Sequence, residues 1–325
     1  MTTSDRPLVS ELSEEELLAR IFPLLPRGLD TLLPPGDDAA VVAAPDGRFV
    51  VTTDVLVEDR HFRRAWSSGQ DVGRRAAVQN LADVAAMGAR TTSLVVALVI
   101  PAELPVSWVE GLARGLAHEC GPQGVGVVGG DLSGGPAVVV AVTAHGDLDG
   151  RAPVVRSGAR PGDVVAHAGV AGWSAAGLAL LDADRLELDH GLVGAYLHPA
   201  SPLAAGPAAA LAGATAMMDV SDGLLRDAGR LARASRVVLA LDGPATAFPD
   251  DVERLSHAAT ALGASAHRWV LDGGEDHGLL ATFPPDVALP PGFRTIGSVR
   301  EGAPSVLVDG APASPTSGWD HFGGR

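Results

Sequence analysis

The sequence predicts a two-domain protein of the α/β class with some α+β mixing. Three observations carry this. Apolar residues make up 46% of the 325 residues but aromatics only 4%, so the core must be Ala, Val and Leu packed in layers, as where helices cover a sheet. The length is that of roughly two ordinary domains. Two successive strand-and-helix patterns flank a stretch at 146–162 that is rich in Gly, Pro, Asp and Arg and lacks sustained periodicity. The expected division is therefore residues 1–150 and 151–325.

In chain order, Ser13 and Glu16 form a capping-box pattern that opens a short helix ending near Pro23. Residues 39–53 read as a hairpin: Ala39–Ala43, a Pro45-Asp46-Gly47 turn, then Arg48–Thr53. Such a hairpin would bring Asp37 and Asp38 near Asp54. Residues 72–87 are helical, with Ala77, Val78, Leu81, Val84 and Ala85 on one apolar face and Asn80, Asp83 and Met87 on a neighbouring one. Thr92–Ile100 is strand-like, and Ser107 with Glu110 suggests another capping box on a helix that runs to Gly121. Val125–Val128 reads as a strand ending in Gly129-Gly130-Asp131, and Ala137–Ala144 as its β return.

The second pattern predicts a strand at Val164–Ala168, a helix from Ser174 and a helix from Pro202 capped by Ser201. A strand to Met218, a helix Leu224–Ala234 and a strand Val237–Leu241 follow. The chain then reads as a strand before Asp272, a strand Leu279–Phe283 and a hairpin at Asp309-Gly310.

The composition excludes several chemistries. There is no lysine, so a Walker-type phosphate lysine, a kinase strand lysine and a Schiff base are all absent. The formal charge of −15 argues against nucleic acid or an anionic membrane as partner. Cys120 is the only cysteine and falls on an apolar helix stripe, which suits a core thiol and excludes multi-cysteine zinc sites. The ten histidines show no paired zinc-ligand spacing. The stretch at Gly172–Gly177 lacks the spacing of a nucleophile elbow. A polar N-terminal stretch without a signal-peptide core, and apolar runs too short to span a bilayer, predict a cytoplasmic protein.

Six acidic motifs recur instead: Gly36-Asp37-Asp38, Thr52-Thr53-Asp54, Asn80 to Asp83, Gly129-Gly130-Asp131, Asp219-Val220-Ser221-Asp222 and Gly273-Gly274-Glu275-Asp276. Any one of them has an ordinary explanation as a turn, a strand end or a helix cap. Their recurrence shifts the reading, because clustered carboxylates repel unless cations hold them together. Threonine hydroxyls add hard oxygen donors of the kind Mg²⁺ prefers, and Mg²⁺ commonly shares such sites with substrate phosphates. Glycines beside Asp131 would let backbone amides approach an anion.

Taken in order, the motifs PPGDDAA at 34–40, TTDVLVEDRHF at 52–62, NLADVAAMGA at 80–89, GGD at 129–131, RSGARPGD at 156–163, DVSDGL at 219–224, GGED at 273–276 and GWDHF at 318–322 resemble those of the thiamine-monophosphate kinase family. The resemblance implies the two-domain fold of aminoimidazole ribonucleotide synthetase, with a homodimer that pairs N-terminal sheets. It implies ATP and thiamine monophosphate as substrates and several Mg²⁺ ions. It implies Asp38, Thr52, Thr53, Asp54, Asp83, Asp131, Asp219 and Asp222 as metal ligands. It places Gly130, Asp131, Arg156 and Ser221 at ATP, and His61, Glu275 and Trp319 at the acceptor. No covalent nucleophile or general base is implied. The chain departs from the family pattern at Ala82, Leu132, His277 and Gly278, and has no aromatic in Gly121–Val128. Two rival readings are another ATP-dependent enzyme of the same superfamily and a non-catalytic nucleotide- or metal-binding regulator. Selenophosphate synthesis would call for a reactive N-terminal Cys and hydrogenase maturation for a C-terminal one. Loss of catalysis should erase clustered carboxylates first.

Overall fold

A computed structural model describes residues 7–34 and 39–313. Contacts divide the chain into two compact units, Met1–Val84 with Arg90–Arg151, and Ala85–Ala89 with Ala152–Arg325.

In the first unit, Ser13 caps helix α1 (Glu14–Ile21), and its capping box with Glu16 is formed as expected. Strand β1 (Thr31–Leu33) pairs with β2 (Val41–Val42), and β3 (Val50–Val57) pairs instead with β6 (Val139–Asp147). The expected 39–53 hairpin is therefore not formed. An eight-residue ladder with β6 satisfies far more backbone groups of β3 than a two-residue partner could. Helix α2 spans Gly69–Ala86, β4 spans Arg90–Ile100, α3 spans Val106–Cys120 and β5 spans Gly126–Gly134. The sheet order is β3-β6-β4-β5, with β5 parallel to β4. Gly129-Gly130-Asp131 therefore lies inside an edge strand rather than after one.

Helix α3 begins two residues earlier than the Ser107 box predicts. Pro105 is its N-cap and makes no side-chain cap bond, so the Ser107 box is not formed. Glycines on α3 and α2 bring the two backbones together: a Cβ at Gly115 of α3 would lie 2.2 Å from the Gln70 carbonyl oxygen, and one at Gly73 of α2 would lie 2.1 Å from that of Leu112. Cys120 is fully buried, and burial pushes its thiol up to about 12. It is a core thiol.

The second unit is built on a seven-stranded mixed sheet, β13-β12-β9-β11-β7-β10-β8. The strands are β7 (Val164–Ala168), β8 (Ala216–Val220), β9 (Val238–Leu241), β10 (Gly278–Phe283), β11 (Phe293–Arg300), β12 (Ser305–Val308) and β13 (Ala311–Pro312). Helices α4 (Trp173–Asp182), α5 (His190–Leu197), α6 (Ala205–Leu211), α7 (Leu224–Ser235), α8 (Pro244–Ala247), α9 (Pro249–Leu262) and α10 (Ala266–Asp272) complete it. Ala166, Ala168, Met217, Leu279, Ala281 and Phe283 form one buried cluster. Two expectations change. The segment before Asp272 is helix, started by Ser265, whose side chain accepts from Arg268 N. Helix α6 starts at Ala205, with Ala204 as N-cap rather than Ser201.

Candidate active site

The first unit presents its carboxylates through the alternation of β3. Thr52 and Asp54 point to one face and Thr53 to the other. On the first face, Thr52 Oγ1 donates to Asp83 Oδ2 of α2 at 2.7 Å. On the second, Thr53 Oγ1 donates to the Val142 carbonyl at 2.9 Å and meets Thr143 Oγ1 at 3.3 Å. His61 folds back onto β3, where Val57 N donates to its Nδ1 at 2.9 Å. That bond fixes the neutral tautomer with its proton on Nε2.

Asp131 is placed elsewhere. The register Val55↔Ala141, Ala97↔Ala141 and Ala97↔Asp131 puts Asp131 in one row with Val55. It thus shares the face of Val55 and Thr53, while Gly130 shares the row of Asp54. β3 and β5 are opposite edges of the sheet, roughly 14 Å apart at three strand spacings. Within one copy, the sheet brings Thr52 and Asp83 into contact but leaves Asp131 at the far edge. Under β5, Leu18, Phe22, Leu112, Leu116 and Val127 line an apolar cavity of about 150 Å³ that reaches Gly129–Leu132. Phe22 brings to this segment an aromatic ring that Gly121–Val128 lacks.

In the second unit, β8 delivers Asp219, which is buried, and the turn after it delivers Ser221 and Asp222. The Gly273–His277 loop is laid along that turn: Glu275 N donates to the Ser221 carbonyl at 2.8 Å and His277 N to that of Val220 at 3.1 Å. Both residues adopt positive φ, 69° and 51°, which a non-glycine residue holds only when its surroundings impose it. Asp276 turns inward and accepts from Gly172 N at 2.5 Å and Ser174 N at 2.8 Å, capping α4. Burial pushes its carboxyl up to about 7.

His277 is buried between Asp219 (3.6 Å) and Glu275 (3.7 Å). Burial opposes a charged ring, but the two carboxylates prevail and hold it up at about 10. Arg156 is exposed, and its carbonyl accepts from Ser235 Oγ at 2.7 Å. Asp38 and Trp319 lie outside the described residues.

With that geometry in place, the comparisons are specific. The family described as AIR synthase related protein, N-terminal domain, matches residues 36–148. A thiamine-monophosphate kinase from Mycobacterium tuberculosis is 49% identical over 99% of this chain and 97% of its own. The chain belongs to the thiamine-monophosphate kinase family. A thiamine monophosphate kinase structure from Aquifex aeolicus is 32% identical with a TM-score of 0.75, over 86% of this chain and 92% of that one. A structure described as AaThiL complexed with AMPPCP and TMP is 32% identical with a TM-score of 0.76, over 99% of this chain and 100% of that one. Thiamine-monophosphate kinases are phosphotransferases, and this chain has their aminoimidazole ribonucleotide synthetase-like fold.

The Mg²⁺ that this family implies can be tested against the donors. They are hard oxygens, and the Thr52–Asp83 contact sets a hydroxyl and a carboxylate 2.7 Å apart. That suits an ion that takes one or two carboxylates and keeps several waters. Among the described residues, no group of three or more acidic, histidine or cysteine side chains is arranged to hold a metal ion. The donor chemistry therefore fits, through small subsites rather than one protein cage.

Sequence reading missed two residues packed against the Ser221–Asp222 turn, Asp227 and Arg230. Asp227 has a fully buried side chain; its Oδ2 accepts from Asp222 N at 3.0 Å and its Oδ1 from Arg230 at 2.6 Å. Burial, then Asp219, pushes its carboxyl up to about 7. Both sit on α7, where their spacing reads as an ordinary i,i+3 helix pair. No sequence signal distinguished them.

Proposed function

We propose that this protein transfers the terminal phosphoryl group of ATP to thiamine monophosphate, giving ADP and thiamine diphosphate by direct in-line displacement. The observation that carries this is the 49% identity to the Mycobacterium tuberculosis thiamine-monophosphate kinase along 99% of this chain. In this reading residues 1–150 form the metal- and ATP-binding domain and residues 151–325 a C-terminal α/β domain. Asp38, Thr52, Thr53, Asp54, Asp83, Asp131, Asp219 and Asp222 hold several Mg²⁺ ions. When bound, Mg²⁺ would neutralise phosphate charge together with the arginines of this lysine-free chain.

Gly130, Asp131, Arg156 and Ser221 contact ATP. His61, Glu275 and Trp319 position the acceptor, with the His61 Nε2 proton as a donor and the Glu275 carboxylate as a partner for the cationic thiamine. The acceptor is itself a phosphate, with a second pKa of about 6 by analogy with phosphoserine. It is largely ionised at neutral pH, so no residue need act as general base. Positioning and electrostatic stabilisation carry the reaction.

The reading includes a homodimer. Phe49, just before β3, and Val51 and Val55 on it expose 59%, 57% and 43% of their surface. An apolar strip on one sheet face suits a second copy of the same face. Pairing of sheets would let the edges of two copies supply Asp54 and Asp131 to shared sites. No helix among the described residues is long and apolar enough to cross a membrane, and the charge of −15 disfavours nucleic acid.

The test is incubation with ATP, Mg²⁺ and thiamine monophosphate, with the product identified by mass. Thiamine diphosphate and ADP in equal amounts are expected. ATP turnover only with a different acceptor would favour another enzyme of the superfamily, and binding without turnover would favour a regulator.

A further inference from the structure

Among the described residues, a guanidinium from α7 bridges the carboxylates of Asp222 and Asp227. Arg230 Nη2 lies 2.5 Å from Asp222 Oδ2 and its Nη1 lies 2.6 Å from Asp227 Oδ1. Arg226 adds a second guanidinium, 3.9 Å from the same Asp222 oxygen. Arginine stays protonated throughout the working pH range, and its planar fork reaches two carboxylates at once. Asp227 cannot lose that partner cheaply, because its side chain is fully buried. Asp222 is different: it is the outer of the two and a proposed metal ligand.

We infer that Arg230 is a positioning residue that competes with Mg²⁺ for the carboxylate of Asp222. A cation that takes Asp222 Oδ2 must displace Arg230 or bind against its charge. An opposite charge at this range changes a carboxylate's affinity for a proton by roughly 10- to 1,000-fold, and a divalent ion meets the same field. Arg230 therefore holds the affinity for Mg²⁺ alone below what the carboxylates would give. A polyphosphate that arrives with its metal restores the balance, because its oxygens become the partner of the displaced guanidinium. Metal loading is thereby tied to nucleotide loading. This rests on the proposed role of Asp222.

The experiment is calorimetric titration with Mg²⁺ alone. Arg230→Gln is expected to bind about tenfold more tightly than the wild type, at the low end of that range. Arg230→Lys keeps the charge and is expected to stay near the wild-type affinity. Asp222→Asn is expected to bind more weakly, and Arg230→Gln should change nothing in that background. If Arg230→Gln does not fold, Asp227→Asn with Arg230→Gln removes the buried charge as well, and the same tightening is expected. Unchanged or weaker Mg²⁺ binding in Arg230→Gln, with Asp222→Asn weakened, overturns the arginine's role alone. Unchanged binding in Asp222→Asn overturns the ligand assignment and this inference together.

Discussion

Replacing Gly130 with alanine would set a methyl carbon 1.9 Å from the Val96 carbonyl oxygen across the β4–β5 ladder. Ordinary contact begins near 3.4 Å, and the obstacle is backbone, not the far end of a side chain. The strand must move by more than an ångström. β5 is an edge strand and can yield, but only by straining its bonds to β4. Overpacking of this kind costs about 1–3 kcal/mol, and a strained ladder bond adds about 0.5–1.5 kcal/mol. The sum is about 2–4 kcal/mol. At about 2–4 °C per kcal/mol for a domain of this size, Tm should fall by roughly 5–15 °C.

The neighbour supplies the control: a Cβ at Gly129 meets nothing within 4 Å, so Gly129→Ala should be neutral or slightly stabilising. Thermal melts followed by circular dichroism on both variants decide it. Equal Tm for the two variants, in either direction, would refute the close-approach argument. Asp131 follows Gly130 directly, so the shifted strand should also lower turnover in Gly130→Ala.

Asp54→Asn should abolish transfer to thiamine monophosphate while the far-ultraviolet spectrum and Tm stay at wild-type values; near-normal turnover would count against its role as metal ligand. Incubation with γ-³²P-labelled ATP alone should leave no label on the protein after denaturing gel separation, and a labelled chain would rule out direct transfer. The third test concerns His167. Burial, with Arg294 nearby, holds His167 down at about 3, so it is neutral in the fold and protonated in the unfolded chain below about 6.5. A depressed histidine leaves stability intact above that value and loses it as pH falls, by about 1.4 kcal/mol per unit, or about 2 kcal/mol at pH 5. Urea midpoints measured from pH 7 to 5 should fall more steeply for the wild type than for His167→Gln, and parallel slopes would contradict the assignment.

Local patterns in the sequence identified most elements. The Ser13 box, the long helix through Asn80 and Asp83, the strand Thr92–Ile100 and the strand–turn–helix at Asp219–Leu224 announce themselves through caps, periods and breakers that act within one or two turns of chain. The ordered acidic motifs carried the family. Tertiary structure decided what depends on distant partners. β3 could have turned back on residues 39–43, but β6, whose Val139 pairs with Val57 and whose Gly146 pairs with Val50, offered a longer ladder. Gly129-Gly130-Asp131 reads as a loop until β4 pairs with it. Residues 266–272 carry an apolar content that suits either element, and a cap at Ser265 settles it as helix. The acidic residues divided in the same way. Asp276 looks like part of a ligand motif, yet it caps α4 across 102 residues of sequence. Asp227 looks like helix surface, yet it holds the backbone of Asp222. Composition and local pattern specify which groups can bind cations, because hard oxygen donors are a property of side chains. Which carboxylates stay available and which are spent on the scaffold depends on the hydrogen bonds they meet after folding, and those are long-range.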